Sequence, residues 1–204
     1  MKVINSTIVL FLISISLVVT VGAQTKQKKA VSKSQPSPDE RMRRDMQDAA
    51  PGPPHARLAS LAGEYTTVSK FYVQPGAPAM ESTGEAKLSM TLDGRFLVED
   101  NSGTFMNQPL KGFRLLGYNN ASKQYEGVWT YTMSTAIMTL NGTAADRGRT
   151  INLAASFNGV GAAKEKLVVI MRLNDDDHFE VELSGKTPVG KPGPRQVTAY
   201  ARRK

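Results

Sequence analysis

The sequence predicts an all-β fold: a single up-and-down antiparallel β-barrel of about ten strands, opened by one short helix. Three observations carry this. After Gly63 the apolar residues recur with period two and keep that period to the C-terminus. Apolar or aromatic segments alternate with Gly, Asn, Asp and Pro turn signals at short, regular intervals. The connections are too short for many of the crossovers a Greek key needs. A two-sheet β-sandwich is the alternative architecture.

The elements follow in chain order. Residues 1–23 read as a secretory signal peptide. Lys2 gives a positive start, Thr7 to Val21 is almost wholly apolar, and Val21-Gly22-Ala23 supplies the small residues for cleavage after Ala23. That apolar run is shorter than the roughly 20 residues a membrane helix needs. Residues 24–53 read as a flexible linker, rich in Lys, Gln, Ser and Pro and without an aromatic residue, closing on Pro51-Gly52-Pro53-Pro54. A short helical turn near 40–47 fits this stretch but has no apolar stripe. The barrel domain spans 54–204. Its helix carries His55, Leu58 and Leu61 on one face, with Pro54 suited to the first turn and Gly63 to the end. The expected strands are 64–73, 83–92, 95–105, 110–118, 124–132, 135–144, 149–157, 165–173, 178–185 and 195–203. Asp93-Gly94 is the strongest hairpin signal, because a two-residue type I′ turn needs positive φ at both centres.

Composition excludes several chemistries. The 204 residues include no cysteine and only two histidines, His55 and His178. Disulfides, thiolate zinc sites, a cysteine nucleophile and a His-rich metal centre are therefore excluded. The formal net charge is +8, but it sits at the ends: residues 24–57 carry eight basic side chains against four acids, and Arg202, Arg203 and Lys204 close the chain. Residues 58–201 are neutral overall, so no basic face invites nucleic acid. The basic ends would make at most weak electrostatic contact with an anionic envelope surface. No hydrolase elbow, zinc-protease helix, phosphate loop or calcium loop occurs. No cofactor, metal ligand set or catalytic residue is assigned. Asp175, Asp176 and Asp177 read as a solvated turn, since three adjacent carboxylates rarely converge on one cation.

Strand alternation sorts the candidate residues by face. Tyr125, Trp129 and Tyr131 share one face of 124–132, where they form either a packed aromatic cluster or the wall of a ligand cavity. His178, Glu180 and Glu182 share a face opposite Phe179, Val181 and Leu183, which points the imidazole and its acids outward. Facing inward, they would instead suit a general base or a metal or haem ligand set. Tyr200 and Arg202 share a face of the last strand, where Arg202 either meets a ligand anion or merely extends the basic tail. His55 reads as a packing or capping residue.

These residues resemble a known family. Pro51-Gly-Pro-Pro-His55-x-x-Leu58-x-x-Leu61-x-Gly63-x-Tyr65, Pro75-Gly-Ala-Pro78-x-Met80-x-Ser82-x-Gly84 and Gly94-Arg95-Phe96-Leu97-Val98 are similar to the opening of the exported bacterial family called domain of unknown function 1579. Gly117-Tyr118-Asn119-Asn120, Tyr125-x-x-x-Trp129 and Tyr200-Ala201-Arg202 continue the match to about residue 203. The resemblance implies a calycin-like barrel, the group of lipocalins and fatty-acid-binding proteins, with Tyr65 where those carry Trp. It implies no activity. Asn119 and Tyr131 stand where the family usually has Asp, so any catalytic role for those acids is lost here. Fatty-acid-binding proteins hold a ligand carboxylate with an Arg and a Tyr two apart on the last strand; Tyr200 and Arg202 reverse that order.

Together these readings give an exported, secreted or periplasmic protein of three candidate functions. The first is a non-enzymatic carrier or sensor of a small apolar or amphipathic ligand, using Trp129, Tyr125, Tyr131, Tyr200 and Arg202. The second is an envelope interaction protein with a filled barrel and a basic arm. The third is a barrel enzyme using His178 and nearby acids.

Overall fold

A computed structural model of the chain describes residues 35–187 and 190–204. The expected signal peptide and the first part of the linker lie outside the described residues. Two helices, α1 (Pro38–Asp48) and α2 (Pro53–Ala59), precede ten strands: β1 (Gly63–Tyr72), β2 (Met80–Thr91), β3 (Phe96–Phe105), β4 (Gln108–Asn119), β5 (Gln124–Tyr131), β6 (Met138–Ala145), β7 (Thr150–Asn158), β8 (Lys164–Leu173), β9 (His178–Lys186) and β10 (Pro192–Arg202). Each strand pairs antiparallel with its chain neighbours, and β10 returns to pair with β1. The barrel is closed, which excludes the two-sheet sandwich and leaves no free edge.

α1 forms through local capping rather than an apolar stripe. The Ser37 hydroxyl accepts from the Glu40 N–H at 3.2 Å, and the Glu40 carboxylate accepts from the Ser37 N–H at 2.8 Å. This capping box satisfies two otherwise unpaired donors, and it extends the helix beyond the turn expected at 40–47. Every α1 side chain is exposed. The Asn120 side-chain amide donates to the carbonyls of Asp48 and Ala50 at 2.7 and 2.8 Å, tying the chain after α1 to the β4–β5 turn.

α2 closes one end of the barrel. Leu58 and Leu61 are buried, and His55 packs edge-to-face on Tyr118 at 5.9 Å. The Gly52 N–H donates to His55 Nδ1 at 3.0 Å, so this histidine both caps and packs, as its spacing suggested.

One expected turn is different. Asp93-Gly94 is not a two-residue hairpin: Thr91 pairs with Phe96, leaving Leu92 to Arg95 as a four-residue connection. Leu92, Asp93 and Gly94 all have positive φ (49°, 55° and 80°), and the Arg95 N–H donates to the Thr91 carbonyl at 3.2 Å. The tight turn lies elsewhere. Phe105 pairs with Gln108 across Met106 and Asn107, whose φ values of 49° and 62° are those of a type I′ turn. Met-Asn lacks the glycine that usually marks such a turn, so the sequence did not announce it.

Candidate functional site

The barrel interior is stratified along its axis. Beneath α2 lies an apolar plug of Leu88, Leu97, Leu116, Ile151, Leu153, Met171 and Phe179, all buried. Phe179 stacks on Tyr200 at 4.1 Å and meets Tyr65 edge-to-face at 5.2 Å, while the Tyr65 hydroxyl donates to the Leu61 carbonyl. Aromatic pairs of this kind add to the area they bury.

Above the plug sits a polar floor. Glu99 and Arg114 are each 1% exposed and form an ion pair across the β3–β4 register. The Tyr200 hydroxyl donates to Glu99 Oε1 at 2.8 Å, and the Asn101 amide donates to the same oxygen at 3.0 Å. The Arg114 guanidinium lies 5.2 Å from the centre of the Trp129 ring, its β5 register partner. Desolvation works against the charge on Arg114, but Glu99 and then Tyr200 outweigh it and hold the guanidinium above its ordinary value. Burial, then the Glu99 charge, drive the Tyr200 phenol well above the usual phenolic range, so it is a neutral hydrogen-bond donor. Arg114 Nη1 is a buried donor without a partner among the described residues.

Beyond this floor the barrel opens into a cavity of about 360 Å³. Its walls come from the strand ends furthest from α2. Trp129, Tyr131, Phe71, Phe105, Leu110 and Leu183 supply apolar surface; Thr67, Ser69, Thr198, Tyr200, Asn101 and Gln196 supply hydroxyls and amides. Ser69 and Thr198 hydroxyls share a hydrogen bond of 2.8 Å. Among the described lining residues there is no Asp, Glu, Lys, Arg or His. Gly112 is needed at the boundary, since a Cβ there would strike the Asn101 amide that contacts Glu99.

The five residues singled out from the sequence divide between the two ends. Trp129, Tyr131 and Tyr200 line the cavity. Tyr125 faces inward but lies at the helix end, packed edge-to-face on Tyr118 at 5.1 Å. It does not join Trp129 in one cluster. Arg202 also sits at the helix end, outside the cavity. Its guanidinium donates to the carbonyls of Ala62 (2.6 Å), Ser60 (2.8 Å) and Asp176 (3.0 Å), and pairs with Asp177 at 3.3 Å. It latches the chain after α2 to the β8–β9 turn. Gly63 leaves room for it, because a Cβ there would meet Nη1.

His178 faces solvent, and its ring pairs with Asp175 at 2.9 Å. Glu182, on the same outer face, is bound by Arg172 and Arg195, each at 2.9 Å. Phe179 and Val181 are buried behind them, so the outward reading of this face holds. No cluster of His, Asp or Glu that would hold a metal occurs among the described residues.

Glu99, Arg114 and Asn101 escaped the sequence reading. The signal was present: Leu97, Glu99 and Asn101 alternate on one face, as do Gly112, Arg114 and Leu116. Opposite charges on the inward faces of neighbouring strands mark a buried pair.

Residues 50–202 match the model of a family described as "Protein of unknown function (DUF1579)". No curated protein matches the chain. Among solved structures, the crystal structure of Rv2717c from M. tuberculosis is similar at a TM-score of 0.57 and 17% identity, over 76% of this chain and 100% of that one. An S-type phycobiliprotein lyase, CPES from Guillardia theta, is similar at a TM-score of 0.49 and 11% identity, over 76% and 99%. The likeness to Rv2717c is one of fold.

Proposed function

We propose that this chain, which belongs to the DUF1579 family, is an exported carrier or sensor that holds one small, uncharged amphipathic molecule in the open half of its barrel. The observation that carries this reading is the cavity of about 360 Å³ above the Glu99–Arg114 floor. Its volume falls within the range of roughly 300–1,000 Å³ typical of small-molecule sites. Aromatic walls with a few converging hydroxyls and amides suit a ligand with an apolar body and one or two hydrogen-bonding groups.

The charge of the ligand follows from the floor. Arg114 is already neutralised by Glu99, and the cavity wall offers no other countercharge. A buried carboxylate would lose its hydration and find no unpaired cation among the described lining residues to compensate it. A carbonyl, hydroxyl or amide meets no such penalty. Arg202, the residue that would have held a carboxylate by analogy, is committed to backbone carbonyls at the opposite end. His178 is exposed on the outer face beside Asp175, away from the cavity, and does not favour the enzyme reading.

Native mass spectrometry of protein purified from its own host tests the reading. A stoichiometric co-purifying small molecule without an ionised group is expected. A strongly acidic ligand, or the bare chain in every preparation, would count against it.

A further inference from the structure

The loops at the two ends of the barrel differ in charge density. At the open end lie the connections 73–79, 106–107, 132–137 and 159–163, and the described residues 187, 190 and 191 of the connection between β9 and β10. These five connections contain no Asp or Glu and a single basic residue, Lys191. At the helix end the turns 92–95, 120–123, 146–149 and 174–177 are dense in charge of both signs, with Asp93, Asp146, Asp175, Asp176 and Asp177 beside Arg95, Lys123, Arg147 and Arg149.

Exposed apolar side chains follow the same division. Met106 (65% exposed), Ile137 (63%), Met133 (52%) and Val73 (51%) project from the open-end loops. Only Leu92 does so from the turns at the helix end. Just behind the apolar rim lie exposed Lys111 on β4, Lys164 and Lys166 on β8, Lys186 on β9 and Lys191 in the connection after it, against Glu165 and the Lys70-paired Glu81. Apolar tips ahead of exposed lysines match an anionic bilayer surface. The tips enter the headgroup–acyl boundary while the ammonium groups remain among the phosphates.

We infer that the mouth of the barrel docks on an anionic lipid surface, with Met106, Met133 and Ile137 inserted and the lysines behind them against the headgroups. Docking in this orientation turns the cavity mouth toward the lipid, so an apolar ligand passes between bilayer and barrel without crossing water. The basic termini are a separate electrostatic element, and their contribution does not depend on which end of the barrel faces the membrane.

The cysteine-free chain makes the test direct. Ile137→Cys and Leu92→Cys each give a single thiol for an environment-sensitive nitrobenzoxadiazole label, at the mouth and at the opposite end. Vesicles of phosphatidylcholine with about one-third phosphatidylglycerol should brighten and blue-shift the label at 137, with the effect fading as salt rises. The label at 92 should not respond. Met106→Ser with Met133→Ser should weaken partitioning of the Ile137→Cys protein about tenfold while leaving all charges in place. Equal responses at 92 and 137 would overturn the inference and assign the binding to the termini, as would no response at 137. A response at 137 that follows protein concentration without vesicles would assign the surface to a second copy instead. The assay reads docking alone, so its failure leaves the cavity reading standing.

Discussion

Removing one side of the Glu99–Arg114 pair should be among the most damaging substitutions in the barrel. Arg114→Met leaves a carboxylate that is 1% exposed with only two neutral donors, Tyr200 and Asn101. Breaking a buried pair in this way costs about 3–5 kcal/mol. At roughly 2–4 °C per kcal/mol for a domain of this size, the melting temperature should fall by about 6–20 °C. The cause is the stranded charge, not the lost attraction, and that makes the double variant decisive. Adding Glu99→Gln removes the charge while keeping a carbonyl for the Tyr200 hydroxyl. The double variant should therefore recover most of the loss, a coupling of about 2–4 kcal/mol between adjacent sites. Thermal and urea unfolding followed by circular dichroism give all four corners of the cycle. If the double variant melts at or below Arg114→Met, the floor is not held by charge compensation and the argument fails.

Two further predictions concern the outer surface. Arg202→Ala should lower stability by about 1–3 kcal/mol, through the unpaired Ser60 and Ala62 carbonyls, yet leave ligand affinity unchanged; a binding titration showing a large loss would return Arg202 to the site. The Glu182 carboxyl is held below its usual range by a hydrogen bond from Arg195, with Arg172 adding to it against the effect of partial burial. Its folded pKa is depressed, so its stabilisation is present above the ordinary Glu value of about 4.3 and is lost as pH falls through the lower folded one. Glu182→Gln should flatten the acid limb of urea midpoints measured between about pH 6 and pH 3, and an unchanged slope would show that other carboxylates govern it.

The barrel was legible because its signal is redundant. Ten period-two segments, each bounded by turn residues, all point to the same answer, and slips of at most three residues at strand ends leave the inward faces unchanged. Position along the barrel axis was not legible. Tyr125 and Trp129 share a face, but four residues of strand carry one from the helix plug to the cavity wall. Face can be read from alternation within a strand, whereas depth depends on stagger between strands, which no local pattern records. The same limit applies to Arg202: the sequence put it on the face of Tyr200 and left open whether it meets a ligand or extends the tail, and its level along the axis places it beside α2. The buried ion pair was legible in principle, since Glu99 and Arg114 each interrupt an apolar face. Recognising it required pairing two adjacent strands in register, which the misplaced turns around 93 and 106 obscured.

The central claim is that the open half of the barrel binds an uncharged amphipathic molecule, and two dyes built on one anilinonaphthalene framework test it most directly. N-phenyl-1-naphthylamine is neutral, and its 8-sulfonate counterpart differs by one fixed negative charge. Energy transfer from Trp129, the single tryptophan and a wall of the cavity, reports occupancy of either. The account predicts saturable one-to-one binding of the neutral dye, about tenfold or more tighter than the sulfonate, which is about 1.4 kcal/mol. Ser69→Phe, which fills the cavity from β1, should abolish it. Tighter binding of the sulfonate would contradict the uncharged-ligand argument, and unsaturable binding indifferent to Ser69→Phe would contradict the cavity itself.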